Sequence, residues 1–388
     1  MPQKPITEVR HTDVSKLMTP GTEKRQGMIG FDEDYVDIVD YIIRCTHKIW
    51  EEKGMGLIYT HYGHNVTVWS GTGVTHDRES VIASSIQTLA MFPDRKLFAE
   101  DVIWTGNDQD GFHTSHRILS IGHNTGYSSY GPPTNRKVVW RVIANCFVKE
   151  NRIMEEWLMR DDLGVIRQLG FDENEIVDRL ARAELASHAP VEPAGDIDRV
   201  FGQTTPEVLP PQASEGFDIE DFIRRNMHEI WNWRMFNRVN EIYAETFLGH
   251  ASAGREFYGN ADYLNWVISM IAMFPDCKFT IDHLYWIGDD ANGYRTSMRW
   301  SLVGTHQGHG VYGEPSNARV RMWGITQHTV KSGKIVEELT LFNELMTLKQ
   351  IHLARIMKGN HDNAGILKSD QAVGQAREKS VGRVVANR

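Results

Sequence analysis

The sequence lacks the features that would place it in several broad classes of protein. Its 388 residues include three cysteines, Cys45, Cys146 and Cys277, about a hundred or more residues apart, so neither a CxxC motif nor a disulfide framework can be built from them. No apolar run approaches the roughly 20 residues of a membrane span. The N-terminal MPQKPITEVRHTD is not followed by the apolar segment of a secretory signal. We therefore expect a protein of the reducing cytoplasm with no membrane partner.

Basic residues are outnumbered by acidic ones, and the common phosphate-binding motifs are missing. The chain has 42 Lys and Arg against 51 Asp and Glu, a net charge of -9, and no block of basic residues, so we expect no nucleic-acid partner. It contains no GxxxxGK[ST] motif, no GxSxG motif and no GxGxxG at a strand-to-helix turn. Nucleotide-dependent and serine-hydrolase mechanisms therefore have no positive support. The composition, 41% apolar and 24% charged, is typical of a globular protein.

The chain does contain an internal repeat. The string MFPD occurs at 91–94 and again at 273–276. The same offset relates further identical residues, namely Trp104 and Trp286, Gly106 and Gly288, Arg117 and Arg299, Gly122 and Gly304, Tyr130 and Tyr312, Pro133 and Pro315, and Glu155-Glu156 and Glu337-Glu338. With the offset one residue shorter, DIVDYIIRCTHKIW (37–50) aligns with DIEDFIRRNMHEIW (218–231). A shared register over most of a domain indicates that the domain is duplicated.

The repeat divides the chain into five segments. We predict an N-terminal arm at 1–30, a first domain at 31–170, a connecting helix and Pro-rich linker at 171–216, a second domain at 217–355 and a C-terminal tail at 356–388. Residues 172–186 have helical apolar spacing, and five of the 13 prolines lie between Pro190 and Pro211, which is typical of a semi-extended linker. The first and last segments lack strong patterning. This is typical of disordered tails and equally of segments that clamp a partner subunit.

Each copy has the same order of elements. Residues 37–50 have the apolar spacing of an amphipathic helix, and a second helical segment covers 79–91. From residue 97 the pattern has the period of β-strands, including two neighbouring strands at 138–148 and 152–159. Helices followed by an antiparallel sheet predict an α+β domain, with the helices packed on one face of the sheet.

Four short motifs follow one another in each copy. The first copy has GHNTG (122–126), PPTN (132–135), EEWLMRD (155–161) and RQLG (167–170), and the second has GTHQG (304–308), EPSN (314–317), EELTLFN (337–343) and KQ (349–350). Their order resembles the G-T-H-x-G, P-P-T-G, E-x-W-x-x-x-D and Q-L-G motifs of the SnoaL-like polyketide cyclase family, in the NTF2-like superfamily. The resemblance covers 31–170 and 217–355. It implies two tandem NTF2-like cones, each with N-terminal helices packed on a strongly curved antiparallel sheet around a pocket. It also implies that the two domains form an intramolecular pseudo-dimer, and it allows further assembly into a homo-oligomer.

The same resemblance implies chemistry on a small-molecule substrate without a metal or organic cofactor. In the cyclases an aspartate at the end of a strand removes a proton from an activated carbon, and the enolate then closes a ring. The first copy keeps this aspartate as Asp161, but it has Asn124 in place of the motif histidine, with His123 one residue early. The second copy has His306 in register and Asn343 in place of the aspartate.

Strand alternation supplies an independent reason to consider Asp161. Alternation places Glu155, Trp157, Met159 and Asp161 on one face of the strand, which we interpret as the wall of the pocket. Burial against aromatic and thioether surface makes a carboxylate a stronger base, so we predict that Asp161 is the catalytic base. The alternative is that Asp161 caps a helix that begins near Asp162.

The enolate and the rest of the substrate also need partners. We predict His123, Asn124 and His116 as donors to the enolate oxygen. The residues predicted to bind substrate lie on the proposed pocket wall or at motif positions, and they are Trp157, Met159, Glu155, Trp140, Tyr62, His306 and Asn343. We predict no metal site, because the HxxH pairs at 61–64, 113–116 and 306–309 would point to opposite faces of a strand.

These observations predict a cofactor-free acid–base enzyme that abstracts a proton from a small carbonyl-containing substrate. An ester cyclase, an isomerase and a dehydratase-type lyase all use this step. Because the amide of Asn343 cannot act as a base, we interpret the second copy as a dimer half or a second binding pocket. Two other functions stay open: a non-catalytic small-molecule binding protein, and an NTF2-like dimerisation scaffold.

Overall fold

The computed structural model describes residues 5–187, 208–212 and 216–359. These residues form two six-stranded sheets, each with its own helices, so the prediction of two tandem α+β domains is confirmed. Most of the predicted Pro-rich linker and the C-terminal tail beyond residue 359 lie outside the described residues.

The first domain contains the two predicted N-terminal helices and the predicted neighbouring strands. Its helices are α1 (Val14–Met18), α2 (Ile38–Thr46), α3 (Ile58–His61), α4 (Arg78–Met91), α5 (Asp162–Leu169) and the connecting helix α6 (Glu173–Ser187). Its strands are β1 (Tyr62–Ser70), β2 (Gly73–His76), β3 (Lys96–Asn107), β4 (Gly111–His123), β5 (Lys137–Lys149) and β6 (Arg152–Arg160). The helix predicted at 37–50 ends as an α-helix at Thr46 and continues as a π-helical turn, His47–Glu51.

The second domain repeats this order. Its helices are α7 (Ile219–Trp231), α8 (Asn237–Ile242), α9 (Asn260–Met273) and α10 (344–359). Its strands are β7 (Tyr243–Ala251), β8 (Arg255–Tyr258), β9 (Lys278–Asp289), β10 (Gly293–Thr305), β11 (Arg319–Lys331) and β12 (Lys334–Phe342).

Both sheets have the same strand order, and each is mixed rather than wholly antiparallel. The orders are β2-β1-β6-β5-β4-β3 and β8-β7-β12-β11-β10-β9. The pairs β1–β6 and β7–β12 are parallel, and the remaining pairs are antiparallel. The expectation of a purely antiparallel sheet was wrong for these two pairs. Alternation along a strand is the same in both directions, so it carries no information about strand direction.

Each sheet has a face covered by its own helices and a face turned toward the other domain. In the first sheet we call these the pocket face and the interdomain face. Apolar side chains of both interdomain faces form one buried cluster, which contains Ile143, Trp157, Met159, Trp323, Ile325, Leu339 and Leu341. Polar pairs extend the contact, because Asn145 Nδ2 donates to Ser297 Oγ at 3.2 Å and Gln327 Nε2 donates to Ser115 Oγ at 2.8 Å. Both faces of the first sheet are therefore largely buried.

The described part of the N-terminal arm also joins the domains. Arg10 lies between Asp101 of the first domain, at 2.8 Å, and Glu337 of the second, at 3.2 Å. In the opposite sense, Arg295 of the second domain lies 3.1 Å from Glu8 of the arm and 2.7 Å from Asp101. This arm is thus tied to the chain's own two domains by ion pairs, and at residues 5–30 it is not the disordered tail that the weak patterning allowed.

Candidate functional site

The first domain encloses a cavity of about 250 Å³ between its helices and the pocket face of its sheet. Residues of α2, α4, β1 and β3–β6 line it. Ser84 of α4 and Thr72 of the β1–β2 turn are exposed, whereas Glu156, Tyr62 and His116 are buried. The cavity therefore opens between α4 and this turn and has titratable groups in its interior.

Glu156 is the buried carboxyl of the cavity. It belongs to the alternate set of β6 residues, Glu156, Leu158 and Arg160, which lies on the pocket face. Tyr62 at the start of β1 donates its hydroxyl to Glu156 Oε2 at 3.0 Å. Because burial penalises the anion, the pKa of Glu156 rises to about 7.

His116 faces the same cavity from β4. It pairs with Ala144 of β5, which in turn pairs with Leu158 of β6. His116 therefore lies two strands away from β6, level with Leu158, which is the next residue after Glu156 on the pocket face. Burial lowers the pKa of His116 to about 3, so its imidazole is neutral at ordinary pH. Its Nδ1 lies 3.5 Å from Thr46 Oγ1, and its Nε2 has no partner among the described residues.

Two arginines and one carboxylate lie toward the other end of β6. Arg160 Nε donates to Asp162 Oδ1 at 2.7 Å, and the hydroxyl of Tyr130 donates to the same oxygen at 2.7 Å. Arg95 precedes β3, and its Nη2 donates to the carbonyl of Trp50 at 3.3 Å. Burial, followed by the positive charge of Arg160, lowers the pKa of Arg95 to about 10.

Asp161, the predicted base, does not line this cavity. It is the N-cap of α5, where its Oδ1 accepts from the Gly164 backbone N–H at 3.0 Å. It also joins the domains, because Oδ1 accepts from the Ala253 N–H at 2.6 Å and Oδ2 from the Gly254 N–H at 3.1 Å. The capping alternative is confirmed, and the placement of Asp161 on the pocket wall was wrong. Burial raises the pKa of Asp161 against the opposing effect of these N–H donors.

The other residues assigned to the same face as Asp161 also lie away from the cavity. Trp157 stacks on Trp69 with ring centroids 4.9 Å apart and carries the guanidinium of Arg299 at 3.8 Å from its ring. Met159 is buried in the interdomain cluster, and Glu155 is exposed. The apolar character of this face therefore comes from contact with the second domain, and not from a pocket.

The predicted donors of the first G-T-H-x-G-like motif have structural contacts instead. His123 is half exposed, and its Nδ1 lies 2.6 Å from Asp94 Oδ2. Asn124 is buried, and its Nδ2 donates to the carbonyls of Met91 at 3.2 Å and Gly126 at 3.0 Å. Both residues thus hold the loop after β4 against the end of α4.

The predicted substrate-binding residues of the second domain have similar local contacts. His306 Nδ1 lies 3.1 Å from Ser316 Oγ, and Asn343 Oδ1 accepts from the Trp323 N–H at 3.0 Å. Neither residue lines the cavity of the first domain. Of all the predicted site residues, the structure brings together His116, Trp140 and Tyr62 on the cavity wall.

Sequence reasoning missed the charged residues of the cavity, which are Arg95, Glu156, Arg160 and Asp162. Two signals could have found Glu156 and Arg160. The alternate face of β6 carries Glu156 and Arg160, and comparison of the copies shows that Arg160 is replaced by Phe342.

The equivalent space in the second domain is filled by aromatic side chains. Positions equivalent to Ser84, Leu97, Ile118 and Arg160 hold Trp266, Phe279, Trp300 and Phe342. The ring centroids of Phe279 and Trp300 lie 5.1 Å apart, and those of Trp300 and Phe342 lie 6.1 Å apart. The acid of this domain is retained, since Tyr243 donates to Glu338 Oε2 at 2.8 Å.

Two searches over the described residues gave negative results. No three His, Cys, Asp or Glu side chains within residues 5–187, 208–212 and 216–359 are placed to hold a metal ion together. None of the helices in these same ranges has the length and apolar character that crossing a membrane requires.

Comparison with known proteins identifies the second domain. Residues 222–351 match the model of the SnoaL-like polyketide cyclase family. The second domain is a SnoaL-like domain. The first domain is its tandem copy, with the same strand order and the shared sequence register. No curated protein matches the chain.

Solved structures similar to this chain each correspond to about one of its domains. A SnoaL-like candidate polyketide cyclase from Jannaschia sp. CCS1 is 14% identical, with 36% of this chain and 98% of that chain covered and a TM-score of 0.31. A candidate polyketide cyclase from Acidithiobacillus ferrooxidans is 20% identical, with coverage of 35% and 94% and a TM-score of 0.30. IdmH, a candidate polyketide cyclase from Streptomyces antibioticus, is 21% identical, with coverage of 34% and 96% and a TM-score of 0.30.

Proposed function

We propose that the first SnoaL-like domain is a cofactor-free acid–base enzyme of the cyclase or isomerase type. In this proposal Glu156, rather than Asp161, removes a proton from a carbon next to the carbonyl group of a small molecule. The observation that carries the proposal is the position of Glu156, a buried carboxyl on the wall of a cavity that opens to solvent.

The surroundings of Glu156 suit proton abstraction. A carboxylate with an ordinary pKa is a weak base toward carbon acids, whereas one with a pKa of about 7 is a stronger base that is still substantially ionised at neutral pH. The hydroxyl of Tyr62 holds one oxygen of the carboxyl group. The reactive orientation is thereby fixed before the substrate arrives.

His116 and Trp140 are the donors proposed for the enolate oxygen. A neutral imidazole in its Nε2–H tautomer can donate a hydrogen bond to a developing oxyanion without adding a formal charge. Neither His116 Nε2 nor the indole N–H of Trp140 has a partner among the described residues, and both side chains line the cavity. The proton moves from carbon to Glu156, and the electron pair moves to the carbonyl oxygen, where these donors stabilise it.

A second candidate function is the binding of a small molecule without turnover. It is favoured by the second SnoaL-like domain, where the same pair, Tyr243 and Glu338, is present at 2.8 Å although aromatic rings fill the interior. A pair retained in a filled domain is consistent with a structural role.

Solvent exchange distinguishes the two functions. The protein is incubated in heavy water with β-oxo and γ-oxo carboxylic acids and their methyl esters, and deuterium uptake is followed by mass spectrometry. Catalysis predicts uptake with the wild type and with Asp161→Ala, and none above background with Glu156→Gln. If a compound binds to the wild-type protein but gains no deuterium, the binding function replaces the catalytic one.

A further inference from the structure

The cavity of the first domain carries more positive than negative charge at the end of β6. Arg95 and Arg160 both line it, and Asp162 is the carboxylate that Arg160 contacts. Glu51 also acts on Arg95 electrostatically, but Glu51 is itself paired with Lys96 at 2.8 Å. The two guanidinium groups are close enough for Arg160 to lower the pKa of Arg95. One positive charge is therefore left without a matching carboxylate at this end of the cavity.

The unpaired hydrogen-bonding groups of the cavity also favour a negatively polarised ligand. Among the described residues that line it, the buried polar atoms without a partner are Arg95 Nε, His116 Nε2 and Trp140 Nε1. Arg95 Nε and Trp140 Nε1 are donors, and His116 Nε2 is a donor in one tautomer. Buried donors without acceptors are costly, so this cavity suits a ligand that brings acceptor oxygens.

Comparison of the two copies shows that these groups are not required by the fold. The positions of Arg95, His116, Trp140 and Arg160 hold Cys277, Met298, Met322 and Phe342 in the filled domain. The carboxylate equivalent to Asp162 is kept as Glu344, but its cation is Arg255 of β8, at 2.6 Å. A carboxylate at this position thus does not need an arginine on the equivalent of β6. The donors and the extra cation occur in the domain that has the open cavity.

We propose that the substrate carries a carboxylate group, which binds to Arg95 and Arg160 while the reactive carbonyl lies near Glu156. This proposal rests on the proposed function. Arginine binds carboxylates through paired, charge-assisted hydrogen bonds, and one uncompensated positive charge matches a monoanion. Glu156 and Arg160 are four residues apart on β6, so their Cα atoms are separated by roughly 13 Å. The two guanidinium groups therefore bind the acid end of the substrate, and Glu156 acts on the carbon next to the carbonyl at its other end.

Binding of matched acids and esters tests this proposal. Isothermal titration calorimetry compares γ-oxo carboxylic acids with their methyl esters on the wild type, Arg95→Met and Arg160→Met. We expect the acids to bind at least about tenfold more tightly than the esters to the wild type, and this preference to disappear in both variants. Arg182→Met is the matched control, because Arg182 is exposed on α6 and paired with Asp178, and it should keep the preference.

Several outcomes would overturn the proposal. They are equal binding of acids and esters, an unchanged preference in Arg95→Met, no binding of any acid, or Arg-dependent binding of inorganic phosphate in place of the acids. If Arg160→Met unfolds because Asp162 loses its cation, Arg95→Met still decides the question, since Arg95 contacts a backbone carbonyl. Glu156→Gln separates this proposal from the proposed function. It should bind the acids with unchanged preference even if no compound gains deuterium.

Discussion

Glu156 lies within strand β6 and Asp161 directly follows it. Both acids are buried, but their surroundings differ. Asp161 accepts hydrogen bonds from three backbone N–H groups, two of which belong to the second domain. Glu156 accepts one tyrosine hydroxyl and faces a cavity. Donors stabilise a carboxylate and make it a weaker base, whereas burial without compensating charge makes it a stronger one. At the residue scale, Glu156 is therefore the better candidate for proton transfer, and the contacts of Asp161 are those of a helix cap and an interdomain link.

Replacing Asp161 tests the structural assignment. Asp161→Ala removes a helix cap and two interdomain hydrogen bonds, so we expect the free energy of unfolding to fall by roughly 1–3 kcal/mol. Chemical denaturation measures this loss. Asp161→Asn keeps one acceptor oxygen and should lose less stability. An Asp161→Ala protein of normal stability that no longer exchanges deuterium would contradict the assignment.

Replacing Glu338 tests the effect of burial on the equivalent acid. Burial raises the pKa of Glu338 to about 7, above its ordinary value, so the folded protein holds a proton that the unfolded chain releases from about pH 4 upward. The contribution of Glu338 to the free energy of unfolding should therefore fall as pH rises through this interval and level off above about pH 7.

Glu338→Gln removes the contribution of Glu338 and leaves that of Glu156. Between about pH 5 and pH 8, the free energy of unfolding of the variant should rise by up to about 3 kcal/mol relative to that of the wild type. Urea denaturation at both pH values measures this difference. If the difference between the two proteins does not change with pH, the pKa of Glu338 is not raised.

At the scale of elements, strand β6 shows how far the sequence could be interpreted. The strands at 138–148 and 152–159 and the helix at 79–91 were predicted correctly, because their patterns are local. The face of β6 that lines the cavity was assigned wrongly. One face of this strand is buried by helices and the other by the second domain. A strand buried on both faces has no solvent-exposed side to identify its orientation.

The family resemblance implied a pocket in each copy, and only differences between the copies could indicate which of the two is open. Taken alone, Leu97, Ile118 and Ser84 do not indicate a cavity. They do so by comparison with the second domain, where the larger residues Phe279, Trp300 and Trp266 stand at these positions. Charged residues such as Arg95 come from a loop before β3, where neither helical nor strand periodicity indicates the direction of the side chain.

Filling the cavity tests the comparison between the domains. Ile118→Trp introduces the residue that the second domain has at this position, and Trp300 is buried there. We expect Ile118→Trp to abolish carboxylate binding in calorimetry with a small loss of stability, because the added ring occupies existing space.

The reverse type of change is the control. Trp300→Ala opens a cavity in a packed core and should cost about 3–5 kcal/mol in chemical denaturation, while ligand binding by the first domain persists. Full ligand binding by a folded Ile118→Trp would show that the ligand lies elsewhere.

At the scale of the whole molecule, the two domains share an interface that contains ionisable groups. His113 and His283 have ring centroids 4.6 Å apart, and Tyr285 lies 5.1 Å from His283. Burial lowers the pKa of His283 to about 4, and the charges of His113, Arg299 and Arg224 act in the same direction. Protonation of His283 is therefore unfavourable in the folded molecule.

Acid should therefore weaken this interface. Because the pKa of His283 is lowered on folding, its contribution to stability is complete above about pH 6.5 and is lost as pH falls toward 4. The free energy of unfolding of His283→Gln should rise relative to that of the wild type between about pH 7 and pH 5, measured by denaturation at both values. The same pH dependence in the two proteins would show that the pKa of His283 is not lowered on folding.

The molecule as a whole pairs an open domain with a filled one. The second SnoaL-like domain buries the interdomain face of the first and supplies the N–H groups that hold Asp161. The formation of homo-oligomers by this pair stays a prediction.

The most direct test compares the equivalent acids of the two domains. Deuterium uptake by the oxo-acid panel is measured in heavy water with the wild type, Glu156→Gln and Glu338→Gln, after circular dichroism has shown that all three are folded. The account predicts that Glu156→Gln loses uptake completely and that Glu338→Gln exchanges at the wild-type rate. Equal rates in wild type and Glu156→Gln, or equal losses in the two variants, would contradict the assignment of catalysis to the cavity of the first domain.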